Sequence, residues 1–348
     1  MPQTSRELFN EAILGKRTSR PPIWIMRQAG RYLPEYRALK EKFGFLGIVK
    51  TPEAAVEAAL QPIRRFGFDC AILFSDILAV SEALGFPYKF ADAGGIFLPE
   101  TAASVRGVEK VRANAKTVCE RLPYVAENAG LLRRELPGNA VLGFCGAPWT
   151  LAAYMVQGGS AEGFPKFREF AEKSPALFEK LMDALAEALA RYLEMQADCG
   201  VDAAQIFDSH ASLAPRGKFW QMSGRWSRAI IERISKKTKV IYFAPKMSER
   251  LQELAPLGAD AYSLGSGIKL SQAAAALGGA ALQGNLDPDF LSNADPETAA
   301  KAALEIARDM RGKGGHIFNL GHGIKPDAKI ENVEAVCQAV KNFKDENA

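Results

Sequence analysis

Pro22-Ile23-Trp24-Ile25-Met26-Arg27-Gln28-Ala29-Gly30-Arg31-Tyr32-Leu33-Pro34-Glu35-Tyr36-Arg37 sets an unbroken apolar run, 23–26, directly before an arginine. The run reads as a buried strand, and Arg27 and Arg31 fall on the loop that leaves its carboxyl end. A guanidinium offers a planar fork of donors that grips carboxylate or phosphate oxygens in pairs. Gly30, between the two arginines, lets a ligand approach the backbone closely. Two readings stand at this point: an anion site, or arginines that solvate a loop.

Outward from this stretch the same unit recurs. Apolar runs at 70–74, 140–145, 203–207, 240–243, 261–264, 281–284 and 316–320 follow the first, making eight in all. Helical segments separate them. Thr51-Pro52 opens one as N-cap and first helical residue, with Val56, Leu60, Ile63 and Phe66 on one face and Gly67 at its end. Others are expected over 109–134, through Tyr154 to a break at Gly158-Gly159, from Ser174-Pro175 onward, over 215–237, and from Asn332. Residues 86–100, around Gly94-Gly95, read as a hairpin excursion. Alternation of this kind predicts a parallel sheet, and eight repeats favour a closed (β/α)8 TIM barrel, one α/β domain over 1–348 with its cleft at the carboxyl ends of the strands. A doubly wound open sheet is the competitor, but no Gly-x-Gly-x-x-Gly follows the first run.

Composition bounds the partners. The chain has 348 residues, 48% hydrophobic and 24% charged, with a net charge of +4 spread along its length. That balance disfavours nucleic acid and suits an acidic small molecule. Five scattered cysteines without a Cys-x-x-Cys pair support neither a disulfide framework nor a zinc site, and fit a reducing, cytoplasmic setting. Residues 1–20 lack the apolar core of a signal peptide, and no run approaches the ~20 apolar residues that span a bilayer. No membrane association is expected.

In a barrel, the strand ends collect Arg27, Arg31, Asp76, Trp149, Tyr154, Asp208, Ser209, His210, Lys246, Asn285 and His322 at one face. Each has a bland reading. Asp76 could cap a helix, Tyr154 belongs to the core unless its hydroxyl finds a partner, and a histidine is more often structural than catalytic. Yet Asp76 follows a wholly apolar run, and Gly321 and Gly323 leave His322 little cover. The set lacks metal-ligand spacing.

These residues carry a resemblance. Residues 22–37 resemble the N-terminal signature of the uroporphyrinogen decarboxylase family, and Gly143-Phe144-Cys145-Gly146-Ala147-Pro148-Trp149-Thr150-Leu151-Ala152-Ala153-Tyr154 is similar to its second signature. Phe74-Ser75-Asp76, Phe207-Asp208-Ser209-His210 and Phe318-Asn319-Leu320-Gly321-His322-Gly323-Ile324 follow in the family's order. Two departures stand out: Gln157 where an acidic residue is usual, and Gly265-Ser266-Gly267 where the family usually has an Asp-Trp-Thr-like turn.

The resemblance implies cofactor-independent removal of carbon dioxide from the four acetate side chains of uroporphyrinogen III, giving coproporphyrinogen III in haem biosynthesis. The protonated pyrrole would serve as electron sink. Asp76 would accept from the pyrrole N–H groups and stabilise the cation. Arg27 and Arg31 would bind carboxylates, with Arg27 or a water it positions as proton donor. Gln28, Ala29 and Gly30 would add backbone contacts, and Tyr154, Ser209 and His322 would touch substrate side chains. A homodimer with facing barrel mouths is implied. The alternatives are a non-catalytic tetrapyrrole-binding homologue, a Schiff-base aldolase using Lys246, and a zinc-dependent barrel methyltransferase, whose histidine–cysteine ligands are missing here.

Overall fold

The computed structural model describes residues 3–90 and 94–344. Its strands are β1 (Cys70–Ile72), β2 (Lys89–Phe90), β3 (Ile96–Phe97), β4 (Ala140–Gly146), β5 (Ala203–Phe207), β6 (Lys239–Ala244), β7 (Ala261–Leu264), β8 (Ala281–Leu286) and β9 (His316–Leu320). Seven of them pair in parallel in the order β1-β4-β5-β6-β7-β8-β9, with Cys70 beside Ala140 at one end and Leu286 beside Leu320 at the other. Helices pack outside, as alternating strand and helix require. β2 and β3 form the expected hairpin, and residues 91–93, between them in sequence, lie outside the described residues.

The first run departs from expectation. Residues 23–26 are buried but form a single parallel bridge, Ile23 with Phe318, rather than a ladder. The reason is local chemistry. Pro21 and Pro22 have no N–H to give, and side chains take the amides that follow. Ile23 donates to Asp69 Oδ2 at 2.8 Å, Ile25 to Gln28 Oε1 at 3.1 Å and Met26 to Asn319 Oδ1 at 2.9 Å. Backbone bonds supply the rest: Phe318 N–H to the Pro22 carbonyl at 2.8 Å, Trp24 N–H to the Phe318 carbonyl at 3.3 Å, and Asp69 N–H to the Ile23 carbonyl at 2.9 Å. The run thus lies between β9 and β1 and closes the barrel.

Polar side chains cross the barrel interior and bond to one another, although Gln205 Nε2 has no partner among the described residues. Trp24 Nε1 donates to Gln283 Oε1 at 3.0 Å, and Gln283 Nε2 donates to Gln205 Oε1 at 3.0 Å and Ser263 Oγ at 2.9 Å. The helices follow their sequence signals with two adjustments. Helix Pro52–Phe66 starts and stops as expected, with Gly67 left-handed, but Thr51 makes no side-chain cap. The helix expected over 109–134 is divided into Val105–Ala115, a turn at Val118–Arg121 and Pro123–Glu135, because Pro123 has no N–H to give and favours the first turn of a helix. Residues 215–237 contribute helix only from the π-turn Trp220–Gly224 into Arg225–Ile234. Pro175–Asp198 buries Leu181, Leu185, Ala188, Leu189 and Tyr192 against the sheet, as their spacing predicts.

At the amino-terminal end of the barrel, helix Ser5–Ile13 is held by a Thr4–Glu7 capping box. Ser5 Oγ donates to Asp69 at 2.6 Å. Asp69 also receives Arg20 through two bonds, at 2.7 and 2.8 Å, and is fully buried. Removing it leaves the Arg20 cation without its counter-charge and the Ile23 amide without its acceptor. Asp69→Ala is therefore expected to lower the unfolding free energy by about 3–5 kcal/mol in urea denaturation; a loss below about 1 kcal/mol would show that this carboxylate does not hold the closure.

Candidate active site

The loop after the closing run is built to display its arginines. Gln28 is buried and spends its groups inward: its side chain holds Ile25 and the Cys70 carbonyl, its N–H donates to Ile25, and its carbonyl accepts from Tyr32 Oη at 2.9 Å. Ala29 and Gly30 are half-buried, and a Cβ at Gly30 would fall 2.7 Å from the Arg27 carbonyl oxygen. Arg27 adopts φ +64°, a conformation few residues other than glycine take. Its side chain is exposed. Arg31, also exposed, lines a cleft of about 350 Å³ with Arg37, Lys40 and Glu41, and its carbonyl accepts from Arg37 at 2.8 Å.

Asp76 follows β1. Its capping reading holds, since Oδ1 accepts from the Leu78 N–H at 2.7 Å and so caps the next turn. Burial raises its pKa, while the Leu78 amide, the Arg27 charge and the Tyr88 hydroxyl pull it back down. Tyr88, just before the strand that opens the hairpin, was not legible as a site residue because its run reads as excursion. It is buried, with its ring 5.8 Å from Phe90.

Tyr154 finds the partner that its core reading lacked. Its hydroxyl lies 3.3 Å from His210 Nε2, and Phe164 packs on both rings. Burial, helped by Lys246 and His322, pulls His210 down to about 4, so the imidazole is neutral near pH 7. Ser209, half-buried, precedes it on the same turn. The turn is fastened from beneath. Trp149 Nε1 donates to the His210 carbonyl at 2.9 Å, and the His210 N–H donates to Thr150 Oγ1 at 3.3 Å. Asp208 accepts from Thr150 at 2.7 Å, Tyr242 at 2.7 Å and Ser223 at 3.0 Å. Trp149 and Asp208, both collected from the sequence as rim residues, are fully buried. Asn285 is buried too, donating to the Gly265 and Ile268 carbonyls. These three support the rim rather than forming it.

His322 is half-buried with Phe243 5.9 Å away, edge to face. Burial lowers its pKa, and the charges of Arg27 and Lys246 lower it further. Arg27, Asp76, Tyr154, His210, Lys246 and His322 are thus electrostatically linked, although they come from separate strand ends. Lys246 is exposed, unlike the desolvated amine a Schiff base needs. Among the described residues, no group of three or more His, Cys, Asp or Glu is placed to hold a metal ion.

The two departures have structural counterparts. Gln157 Oε1 accepts from the Lys166 N–H at 3.0 Å, at the start of helix Pro165–Lys173, where an acidic side chain would serve equally. A Cβ at Gly265 would fall 2.0 Å from the Pro245 carbonyl oxygen, so this turn admits only glycine there. Ser266 ties it down through Asp287 at 2.8 Å.

The family model described as Uroporphyrinogen decarboxylase (URO-D) matches residues 4–343. The chain belongs to the uroporphyrinogen decarboxylase family. It is 41% identical over 351 residues to "Uroporphyrinogen decarboxylase" of Sinorhizobium fredii, covering 99% of this chain and 100% of that one. It is 38% identical over 342 residues to the protein of that name from Pelodictyon phaeoclathratiforme, covering 96% and 97%. Among solved structures, a methyltransferase from Methanosarcina mazei superposes with a TM-score of 0.78 at 19% identity, over 98% of this chain and 99% of that one. That likeness is one of fold.

The His210 shift has a consequence for stability. A histidine held at about 4 in the folded chain, against 6.5 ordinarily, leaves the unfolded state binding more protons between those values. Stability therefore falls as pH drops from about 6.5 towards 4. Urea midpoints at pH 7 and pH 4.5 are expected to differ less in His210→Asn than in the wild-type chain. An equal difference in both would mean that the ring is not held neutral.

Proposed function

We propose that the chain removes carbon dioxide from the four acetate side chains of uroporphyrinogen III, yielding coproporphyrinogen III without a metal or organic cofactor. Membership of the decarboxylase family supports this reading. The observation that carries it is Asp76: a carboxylate pinned by one oxygen to the Leu78 amide, coupled to Arg27 and drawn partly out of water at the strand ends.

An acetate cannot simply lose carbon dioxide, because the carbanion left behind is too unstable. The pyrrole supplies the sink. A proton added to the ring carbon next to the acetate-bearing one gives an iminium-like cation. As the bond to the carboxyl group breaks, its electron pair forms an exocyclic double bond and neutralises that cation. A proton then adds to the exocyclic carbon, and the ring proton leaves. Each acetate takes up one proton and releases one carbon dioxide.

Asp76 serves the cationic stage. Its carboxylate accepts from pyrrole N–H groups and stabilises the positive charge in a site already oriented for it. Partial burial strengthens that interaction, since the charge faces less water. Arg27 and Arg31 pair with substrate carboxylates, and Arg27 or a water it positions delivers the first proton. Ala29 and Gly30 contribute backbone contacts beside them, while Gln28, buried with its backbone and side-chain groups bonded inside the loop, holds that loop in place instead of touching substrate. Tyr154, Ser209 and a neutral His322 contact substrate side chains through hydrogen bonds.

The same proposal extends to the setting: one barrel domain over 1–348, working as a homodimer with barrel mouths facing, in the cytoplasm. Exposed Phe90 and Phe97 on the rim hairpin support an apolar contact there. The free cysteines fit a reducing compartment, and among the described residues no helix is long and apolar enough to cross a membrane.

Anaerobic incubation of the chain with uroporphyrinogen III, followed by chromatography of the oxidised products, tests the activity. Coproporphyrin is the expected product, and recovery of intact uroporphyrin would overturn the proposal. Asp76→Asn keeps the shape and removes the charge, so kcat is expected to fall by about 10²–10³ with folding intact; near wild-type turnover would sink the central-carboxylate role. Arg27→Ala and Arg31→Ala should each raise KM by about tenfold, and unchanged values in both would remove them from the site.

A further inference from the structure

Arg27 and the loop after β9 share a space that only a missing side chain provides. A Cβ built on Gly323 would lie 2.4 Å from Arg27 Cδ, 2.8 Å from its Nε and 3.0 Å from its Cγ. Close packing leaves no room for such approaches. Gly323 is buried, and its backbone lies outside the left-handed region, so conformation does not demand glycine here. The nearest obstacles to a methyl group are three atoms of one flexible side chain.

Gly321, two residues earlier, is a contrast. A Cβ there would lie 2.4 Å from the Ser266 backbone nitrogen and 3.0 Å from the Gly265 carbonyl carbon, so the main chain itself would have to shift. Gly321 lets two loops meet. Gly323 lets one side chain pass. The two loops that frame this passage are joined, since the Ile324 N–H donates to the Met26 carbonyl at 2.9 Å. The Arg27 backbone cannot easily readjust either, being already at φ +64° with its carbonyl against Gly30.

We propose that Gly323 is a positioning residue for Arg27, its missing side chain being the slot that aims the guanidinium into the site beside His322. The proposal rests on the decarboxylase reading above. A methyl group at position 323 pushes the Arg27 stem aside while the fold stays intact. An arginine displaced by about 1 Å at a reacting centre lowers catalysis by up to about 10²-fold.

Gly323→Ala is expected to keep the wild-type urea midpoint while kcat/KM with uroporphyrinogen III falls by up to about tenfold, no more than in Arg27→Ala. Arg27→Ala and the double variant are then expected to have the same kcat/KM, because the methyl group has nothing left to displace. A crystal structure of Gly323→Ala should show Arg27 Cδ moved and the backbone of 321–324 in place. Unchanged kcat/KM in Gly323→Ala, additive losses in the double variant, or an unmoved Arg27 would each overturn the proposal. An inactive wild-type chain would instead overturn the decarboxylase reading, leaving the crystal structure to decide the part played by Gly323.

Discussion

Asp69 carries the closure of this barrel. One buried carboxylate accepts from Ser5, from both terminal nitrogens of Arg20 and from the Ile23 amide, while its own N–H donates to the Ile23 carbonyl. A sheet that curls on itself must join its first and last staves, and here the first stave begins with two prolines that cannot donate. A charged acceptor makes stronger hydrogen bonds than a carbonyl does. Its ion pair with Arg20 also fastens the segment that leads from the covering helix Ser5–Ile13 into the closing run. The same residue therefore seals the amino-terminal end and fixes where residues 23–26 lie.

The candidate site inherits its geometry from that anchoring. Because Ile23, Ile25 and Met26 are pinned by Asp69, Gln28 and Asn319, the loop after them starts from a fixed place. Gln28 is consumed in holding it, which leaves Arg27 and Arg31 projecting outward on either side. A second fixed point lies across the mouth. Asp208 satisfies three hydroxyl donors and, through Thr150, steadies the turn that carries Ser209 and His210. Rigid supports beneath flexible, polar ends are what precise ligand placement requires.

Much of this was legible before the structure. Apolar periodicity marked the barrel, because burial on both faces leaves near-continuous hydrophobic runs. The strand ends likewise offered Arg27, Asp76, Tyr154 and His322 as candidates. What periodicity could not show was pairing across distance. Residues 23–26 look like an ordinary strand because they are as buried as one, and their side-chain partners lie at positions 28, 69 and 319. Trp149, Asp208 and Asn285 occupy strand ends just as the exposed residues do, and only their partners show that they face inward. Gly265 looked like a departure, and its cause is the Pro245 carbonyl on a neighbouring strand end.

Electrostatics explains why so modest a net charge suffices for a polyanionic substrate. Burial holds His210 and His322 towards their neutral forms, and the cations around them push in the same direction. Those rings therefore add no positive charge, but they keep hydrogen-bonding capacity where an extra cation would repel Arg27 or Lys246. Asp76 is treated oppositely: burial disfavours its charge, while Arg27 and two hydrogen-bond donors restore part of it. The carboxylate is thus left wanting a further positive partner. A ligand that brings carboxylates to the arginines and a cation to Asp76 satisfies both demands at once, and a simple anion satisfies only the first. On the proposed reading, the arginine pair alone would select for charge, and the arginines together with Asp76 would select for a molecule that becomes cationic at its centre.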